Sequence, residues 1–253
     1  MYKSGYKPRT RKLPSTYIKR NRYNPSARRF GRTNLGLIVY PEKKYFDSLK
    51  SNTAIAASTN WTDTEYDPAT SNTLFSPTKG TNQNQRVGRK VSVHKIKIKG
   101  QVTIPAQAAT NSAKTGSKIR ILLVQDKQTN AAQAQGEQIM QAPGTATSTL
   151  ATNSFQSLAN FGKFRVIKDL SIIADDPNFS STQTADTYDT NGKVYEFSMN
   201  AIFKKPVVVH FNSANNGTVA DIVDNSFHII ANTSSAGFVP VIDYNCRTVY
   251  TDS

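Results

Sequence analysis

From residue 44 onward the apolar residues of this chain fall in short runs, most of them two positions apart, a pattern that extended backbone can bury and a long helix cannot. The clearest case is Tyr195, Phe197, Met199, Ala201 and Phe203, set against Glu196, Ser198 and Asn200. The segment Arg89–Ile104 repeats it with Val91 and Val93, then Ile96 and Ile98, then Val102 and Ile104. Its phase changes from odd to even at His94-Lys95, which predicts a bulge or a change of sheet there. Further runs lie at Lys44–Ala57, at Ile119, Ile121 and Leu123 ending near Asp126, and at Phe164–Ile173. Val207–Phe211 follows Pro206, and Phe227–Ala231 and Val239–Tyr250 complete a set of eight strand regions. Between them lie long polar stretches: Ser58–Gln85 with Trp61, Thr129–Asn160 with a short helical turn expected near Glu137–Gln141, and a loop holding Asp175, Asp176, Asp186 and Asp189.

Eight strands joined by long, uneven loops suit two packed antiparallel sheets better than an up-and-down barrel, which favours short regular hairpins. The expected fold is therefore all-β: a single eight-stranded antiparallel jelly roll over residues 33–253. An immunoglobulin-like sandwich is the competing answer. It is the poorer one, since its buried Trp packs on a Cys pair and here Trp61 lies in a polar stretch with no such pair.

Charge is distributed very unevenly. Residues 1–32 carry eleven basic side chains and no acid: Lys3, Lys7, Arg9, Arg11, Lys12, Lys19, Arg20, Arg22, Arg28, Arg29 and Arg32. Of the 32 Lys and Arg in the chain, 21 remain for the rest, against 17 acids, so the other residues hold only +4 of the total +15. A segment so poor in aliphatic residues and so self-repelling cannot bury enough apolar surface to offset the entropy of ordering it. It reads as a mobile tether. Tyr17 and Tyr23 stand among the cations, where they can stack on unpaired bases while Arg and Lys displace counterions from phosphates. Two clusters, Arg9–Lys12 and Lys19–Arg22, also fit recognition by nuclear import receptors. Lys95, Lys97 and Lys99 alternate along one strand face and join the nucleic-acid surface if that face meets the polyanion.

Other chemistry finds little support in the pattern. No run of about 18 apolar residues occurs, so no membrane insertion is expected. The basic N-terminus lacks the apolar centre of a signal peptide. The single Cys246 excludes an intramolecular disulfide and alternates with Ile242, Tyr244 and Tyr250 as a small core residue would. His94, His210 and His228 lie in separate strand regions with no Cys or second His at ligand spacing, so no metal site is assigned to them. The acid-rich stretches at Asp63–Asp67 and Asp175-Asp176 could hold Ca²⁺ between subunits, although surface loops carry such acids routinely. There is no phosphate-cradling Gly-rich loop, no His-x-His pair with a Tyr and no Ser/His/Asp spacing, so neither catalysis nor a cofactor is expected.

The stretch Arg86-Val-Gly-Arg-Lys-Val-Ser-Val-His-Lys-Ile-Lys-Ile-Lys-Gly100 resembles a strand of the coat proteins of circular, Rep-encoding single-stranded DNA viruses of the geminivirus and circovirus kind. Glu42-Lys-Lys-Tyr-Phe-Asp47 resembles the segment after their basic arm, and Arg120-Ile-Leu-Leu-Val-Gln-Asp-Lys127 and Phe161-Gly-Lys-Phe-Arg-Val-Ile-Lys-Asp169 resemble two further strands. Cys246-Arg-Thr-Val-Tyr-Thr-Asp252 closes the chain as theirs do. The resemblance implies a self-assembling capsid protein, a homo-oligomer of about 60 copies in a small T=1 icosahedral shell, packaging a circular single-stranded DNA genome. It implies a place in the virion, assembly in the host nucleus, and a host-cell receptor for the shell. Arms numbering about 60 would bring on the order of 660 positive charges to the genome. A non-assembling nucleic-acid-binding β-domain, and the capsid of a small satellite-like RNA virus, are the alternatives. A carbohydrate-binding jelly roll would leave the arm unexplained.

Overall fold

The computed structural model describes residues 41–55, 61–65, 73–104, 117–141, 151–174, 193–234 and 239–252. The basic segment 1–32 lies outside them, as do Asp67, Asp175, Asp176, Asp186 and Asp189. The described residues hold nine strands: β1 (Lys43–Ala54), β2 (Thr62–Asp63), β3 (Lys90–Ile104), β4 (Ser117–Asp126), β5 (Phe164–Ala174), β6 (Lys193–Phe211), β7 (Ile222–Asp224), β8 (Ser226–Thr233) and β9 (Val241–Asp252). One helical turn, α1 (Gly136–Ile139), stands in the long connection before β5, close to the turn expected near Glu137–Gln141.

Two antiparallel sheets result, a five-stranded one in the order β1-β9-β3-β6-β7 and a four-stranded one in the order β2-β8-β4-β5. The pairings β1 with β9, β2 with β8, β3 with β6 and β4 with β5 nest inside one another. The chain therefore behaves like a long hairpin doubled on itself, its ends joined at β1 and β9. Asn225, in the left-handed region at φ 62, is the one-residue link by which β7 of one sheet passes into β8 of the other.

The expected phase change is a bulge: the register of β3 shifts between Val93 and Lys95 against both of its neighbours. Inward positions move from Val91 and Val93 to Ile96 and Ile98 without the strand leaving its sheet. Pro206 does not divide two strands, contrary to the sequence expectation. β6 runs unbroken from Lys193 to Phe211, because Phe203–Pro206 are looped out opposite His94, between the pairs Val93↔Val207 and Lys95↔Ile202. A proline at a bulge removes no ladder hydrogen bond.

The main core lies between the sheets, with Ile96, Ile98, Ile121, Leu123, Phe227, Ile229 and Tyr250 among its buried members. At one end the Phe75 ring meets those of Phe46, Tyr250 and Phe211 edge-on at 5.6, 5.1 and 6.3 Å. A second, smaller cluster covers the other face of the four-stranded sheet: Trp61, Leu122, Val124, Ala134, Ile139, Met140, Phe164 and Ile230. Residues from the connection between β4 and β5 supply part of it, so what reads as a polar loop acts as a cover. Trp61 is buried there rather than exposed in a loop, its ring 5.5 Å from the Arg120 guanidinium. β8 is accordingly buried at every position.

Arg86, which opens the stretch resembling viral coat proteins, is fully buried. Its Nε donates to the Pro77 carbonyl at 3.1 Å, Nη1 to Gly88 at 2.8 Å and Nη2 to Ala214 at 2.9 Å, over the Phe211 ring. Three carbonyls take up its donors, so this cation fastens loops together and offers nothing to a ligand. Gly100 sits opposite Tyr244 and Phe197 in the ladder, and a Cβ there would lie 2.4 Å from the Asp243 carbonyl oxygen and 2.8 Å from Phe197. The obstructing oxygen is backbone and cannot swing aside. Gly100→Ala should lower stability by about 1–3 kcal/mol, the usual cost of overpacking, read as a lower denaturant midpoint at unchanged slope. A midpoint equal to that of the parent protein would contradict the packing described.

Candidate nucleic-acid interface

The two sheets differ in what covers them. The four-stranded sheet has buried side chains on both faces, whereas the outer face of the five-stranded sheet is open to solvent along β1, β9, β3 and β6 among the described residues. That open face carries the lysines the alternation singled out. Beyond the bulge the even positions of β3 point inward, so Lys95, Lys97 and Lys99 point out together, with Lys97 and Lys99 exposed. The register sets Lys97 between Arg247 of β9 and Asn200 of β6, and Lys99 between Asn245 and Ser198. The bulge is therefore what aims the row: without it, the alternation set by Val91 and Val93 would turn these lysines into the core.

Arg247 belongs to the same face, and sequence reading missed it. Its guanidinium donates to both carboxylate oxygens of Asp47 on β1, at 2.7 and 2.6 Å. These hydrogen bonds hold the Asp47 carboxyl below its ordinary range. Among the described residues none of the three lysines is in an ion pair. A depression of about 440 Å³ runs beside them, lined by Asp47, Leu49, Lys97, Lys99, Asn245 and Arg247. Its three cations outweigh its one acid. An adjoining groove of about 740 Å³ has Lys50 and Lys99 against Glu196 and Asp243, so the positive character centres on Lys97, Lys99 and Arg247. Leu49, at 73% exposure, lines both hollows, and Ile202, at 68%, lies opposite Lys95 in the ladder. Such a surface can take phosphates on ammonium groups and lay unpaired bases on apolar side chains, with no base-edge code required.

The remaining candidates are placed as follows. Cys246 lies inward on β9, and burial pushes its thiol up to about 12, which leaves it no thiolate for nucleophilic work. His94 shares a hydrogen bond of 3.0 Å with Thr251, and burial lowers its pKa. His210 is held by Asp224, its Nδ1 at 2.8 Å from Oδ2. His228 does not stand alone as its strand spacing suggested: the pairing of β2 with β8 brings it to Asp63 and Glu65. The arm residues Lys3 to Arg32, with Tyr17 and Tyr23, lie outside the described residues. Compared with known proteins, the chain matches no family model and no curated sequence.

Proposed function

We propose that this chain is the capsid protein of a small circular single-stranded DNA virus: a jelly-roll subunit that self-assembles into a closed icosahedral shell and packages its genome through the basic arm. The observation that carries this reading is the lysine row on the uncovered face of the five-stranded sheet, in a chain whose first 32 residues concentrate eleven cations. A folded surface and a tether of the same sign converge on one kind of partner, a polyphosphate. The jelly-roll reading is supported by the nested pairing of β1 with β9, β2 with β8, β3 with β6 and β4 with β5. The segmental resemblance to single-stranded DNA virus coat proteins selects DNA as cargo and the virion and host nucleus as locations.

Within this account the arm and the sheet play unequal parts. Eleven arm charges against three lysines make the arm the main source of affinity, and copy number multiplies both across a shell. Lys95, Lys97 and Lys99 fix where the strand runs along the wall. Recognition rests on phosphates and base faces, so it is independent of sequence.

Fluorescence anisotropy with a labelled single-stranded oligonucleotide, repeated over a range of salt, tests these assignments. For the full chain, log K should fall steeply and linearly with log salt. Removal of residues 1–32 should cut both affinity and slope; an arm-deleted protein with unchanged affinity and salt dependence would falsify the arm's role. Exchanging Lys95, Lys97 and Lys99 together for Gln should flatten the slope by about 2, since each phosphate that a lysine neutralises on a single strand adds roughly 0.7 to it. A triple variant with the parent slope would remove the sheet face from the interface.

A further inference from the structure

The sequence sets Asp63 and Glu65 more than 160 positions from His228, yet the fold closes them into one buried cluster. β2 pairs with β8 through Thr62↔Ala231 and Asp63↔Ile230, and the Asp63 carboxylate then ends the strand by accepting the Glu65 backbone N–H at 3.0 Å. Glu65 is 5% exposed and His228 is 0% exposed. One ligand-type atom from each of Asp63, Glu65 and His228 lies within 4.8 Å of the others. His228 Nδ1 and Asp63 Oδ2 are 3.6 Å apart. An ion held at about 2.0–2.2 Å sets its ligand atoms about 3.0–4.2 Å apart, so small side-chain adjustments close the set.

A second observation points the same way. His228 Nδ1 is buried and has no hydrogen-bond partner, although it faces a carboxylate. The ring's other nitrogen is engaged: Nε2 is 2.7 Å from Ser226 Oγ, which is 2.8 Å from Thr129 Oγ1, which reaches the Asp126 carbonyl at 3.3 Å. Thr129 Oγ1 donates to Ser226 Oγ, so the Ser226 hydroxyl is left to donate to Nε2, and Nδ1 is the ring nitrogen turned toward Asp63.

We propose that Asp63, Glu65 and His228 form a binding site for one divalent first-row transition-metal ion of the Zn²⁺ class. An imidazole nitrogen beside two carboxylates selects this class over Ca²⁺ and Mg²⁺, which favour oxygen throughout. The three groups are already positioned by outer contacts. Gln133 Nε2 donates to Asp63 Oδ2 at 2.8 Å, and Tyr244 Oη to Glu65 Oε1 at 2.5 Å. The Ile229 N–H donates to Glu65 Oε2 at 2.9 Å, while Ser226 orients His228. A cavity of about 240 Å³ lined by Tyr244, Thr73, Ser76 and Lys50 reaches one member of the set, Glu65. Bound there, the ion would clamp the short edge strand β2 onto β8, and Glu65 already carries that link across to Tyr244 of the other sheet.

The test uses the full chain, freed of nucleic acid, stripped with chelator and titrated with ZnCl₂ by calorimetry, with the melting temperature followed in parallel. The expected result is one saturable Zn²⁺ equivalent per chain and a rise in melting temperature that CaCl₂ does not produce. Asp63→Asn keeps the acceptor for Glu65 and the size of the side chain, so it should fold, and it should weaken Zn²⁺ binding about tenfold or more. His228→Gln should do the same, whereas His210→Gln, at the exposed pair with Asp224, should leave binding unchanged. Absence of saturable Zn²⁺ binding, equal binding by Asp63→Asn, loss of binding in His210→Gln, or a matching response to CaCl₂ would each overturn the proposal.

Discussion

The constraint on which the rest depends is that β3 must bury one face and show the other across the whole width of the five-stranded sheet. Its inward positions, Val91, Val93, Ile96, Ile98, Val102 and Ile104, form the floor of the main core against Ile121, Leu123, Phe227 and Ile229 of the other sheet. A strand of period two can hold such a face only in one phase at a time, and this strand changes phase once, at the bulge between Val93 and Lys95. The bulge is matched on β6 by the looped-out Phe203–Pro206. With that single adjustment, the apolar residues on both sides of it stay inside and Lys95, Lys97 and Lys99 are delivered together to solvent. Core packing and the candidate interface are two consequences of one register.

The second determinant is the unequal covering of the sheets. The connection between β4 and β5 turns back over the four-stranded sheet and buries Trp61, Ile139, Met140 and Phe164 against Leu122, Val124 and Ile230. That explains why β8 is buried throughout, and why β4 carries apolar Leu122 and Val124 on the face away from the main core. Among the described residues, nothing covers the outer face of the five-stranded sheet, which carries exposed lysines beside a few exposed apolar side chains. Cations along the middle strand of that sheet and the eleven basic side chains of residues 1–32 are the two features on which the proposed function rests.

How much of this is legible in the sequence follows from the range of each interaction. The bulge at His94 and the inward position of Cys246 are local, and alternation alone places them; the helical turn at α1 is local too. Pro206 misleads, because whether a proline ends a strand depends on the residue across the ladder, here His94 in a separate stretch of chain. Trp61 misleads likewise: its neighbours in sequence are polar, and its apolar surroundings come from α1, β4 and β5. The burial of Arg86 is invisible in the sequence, because one of the carbonyls around it, that of Ala214, comes from a distant stretch of chain. The meeting of Asp63 and Glu65 with His228 rests on pairing a two-residue strand, too short to leave any periodic trace.

The nested strand pairing, the open lysine-bearing face and the charge of residues 1–32 form one account, in which many copies of this chain wrap a single nucleic acid. Its most direct test is negative-stain electron microscopy of the purified full-length protein, followed by nuclease typing of whatever is protected. The account predicts closed particles of uniform size holding DNA that single-strand-specific nuclease degrades only after the shell is opened. Protein that stays monomeric or in small open oligomers at every salt concentration, with no protected nucleic acid, would contradict it.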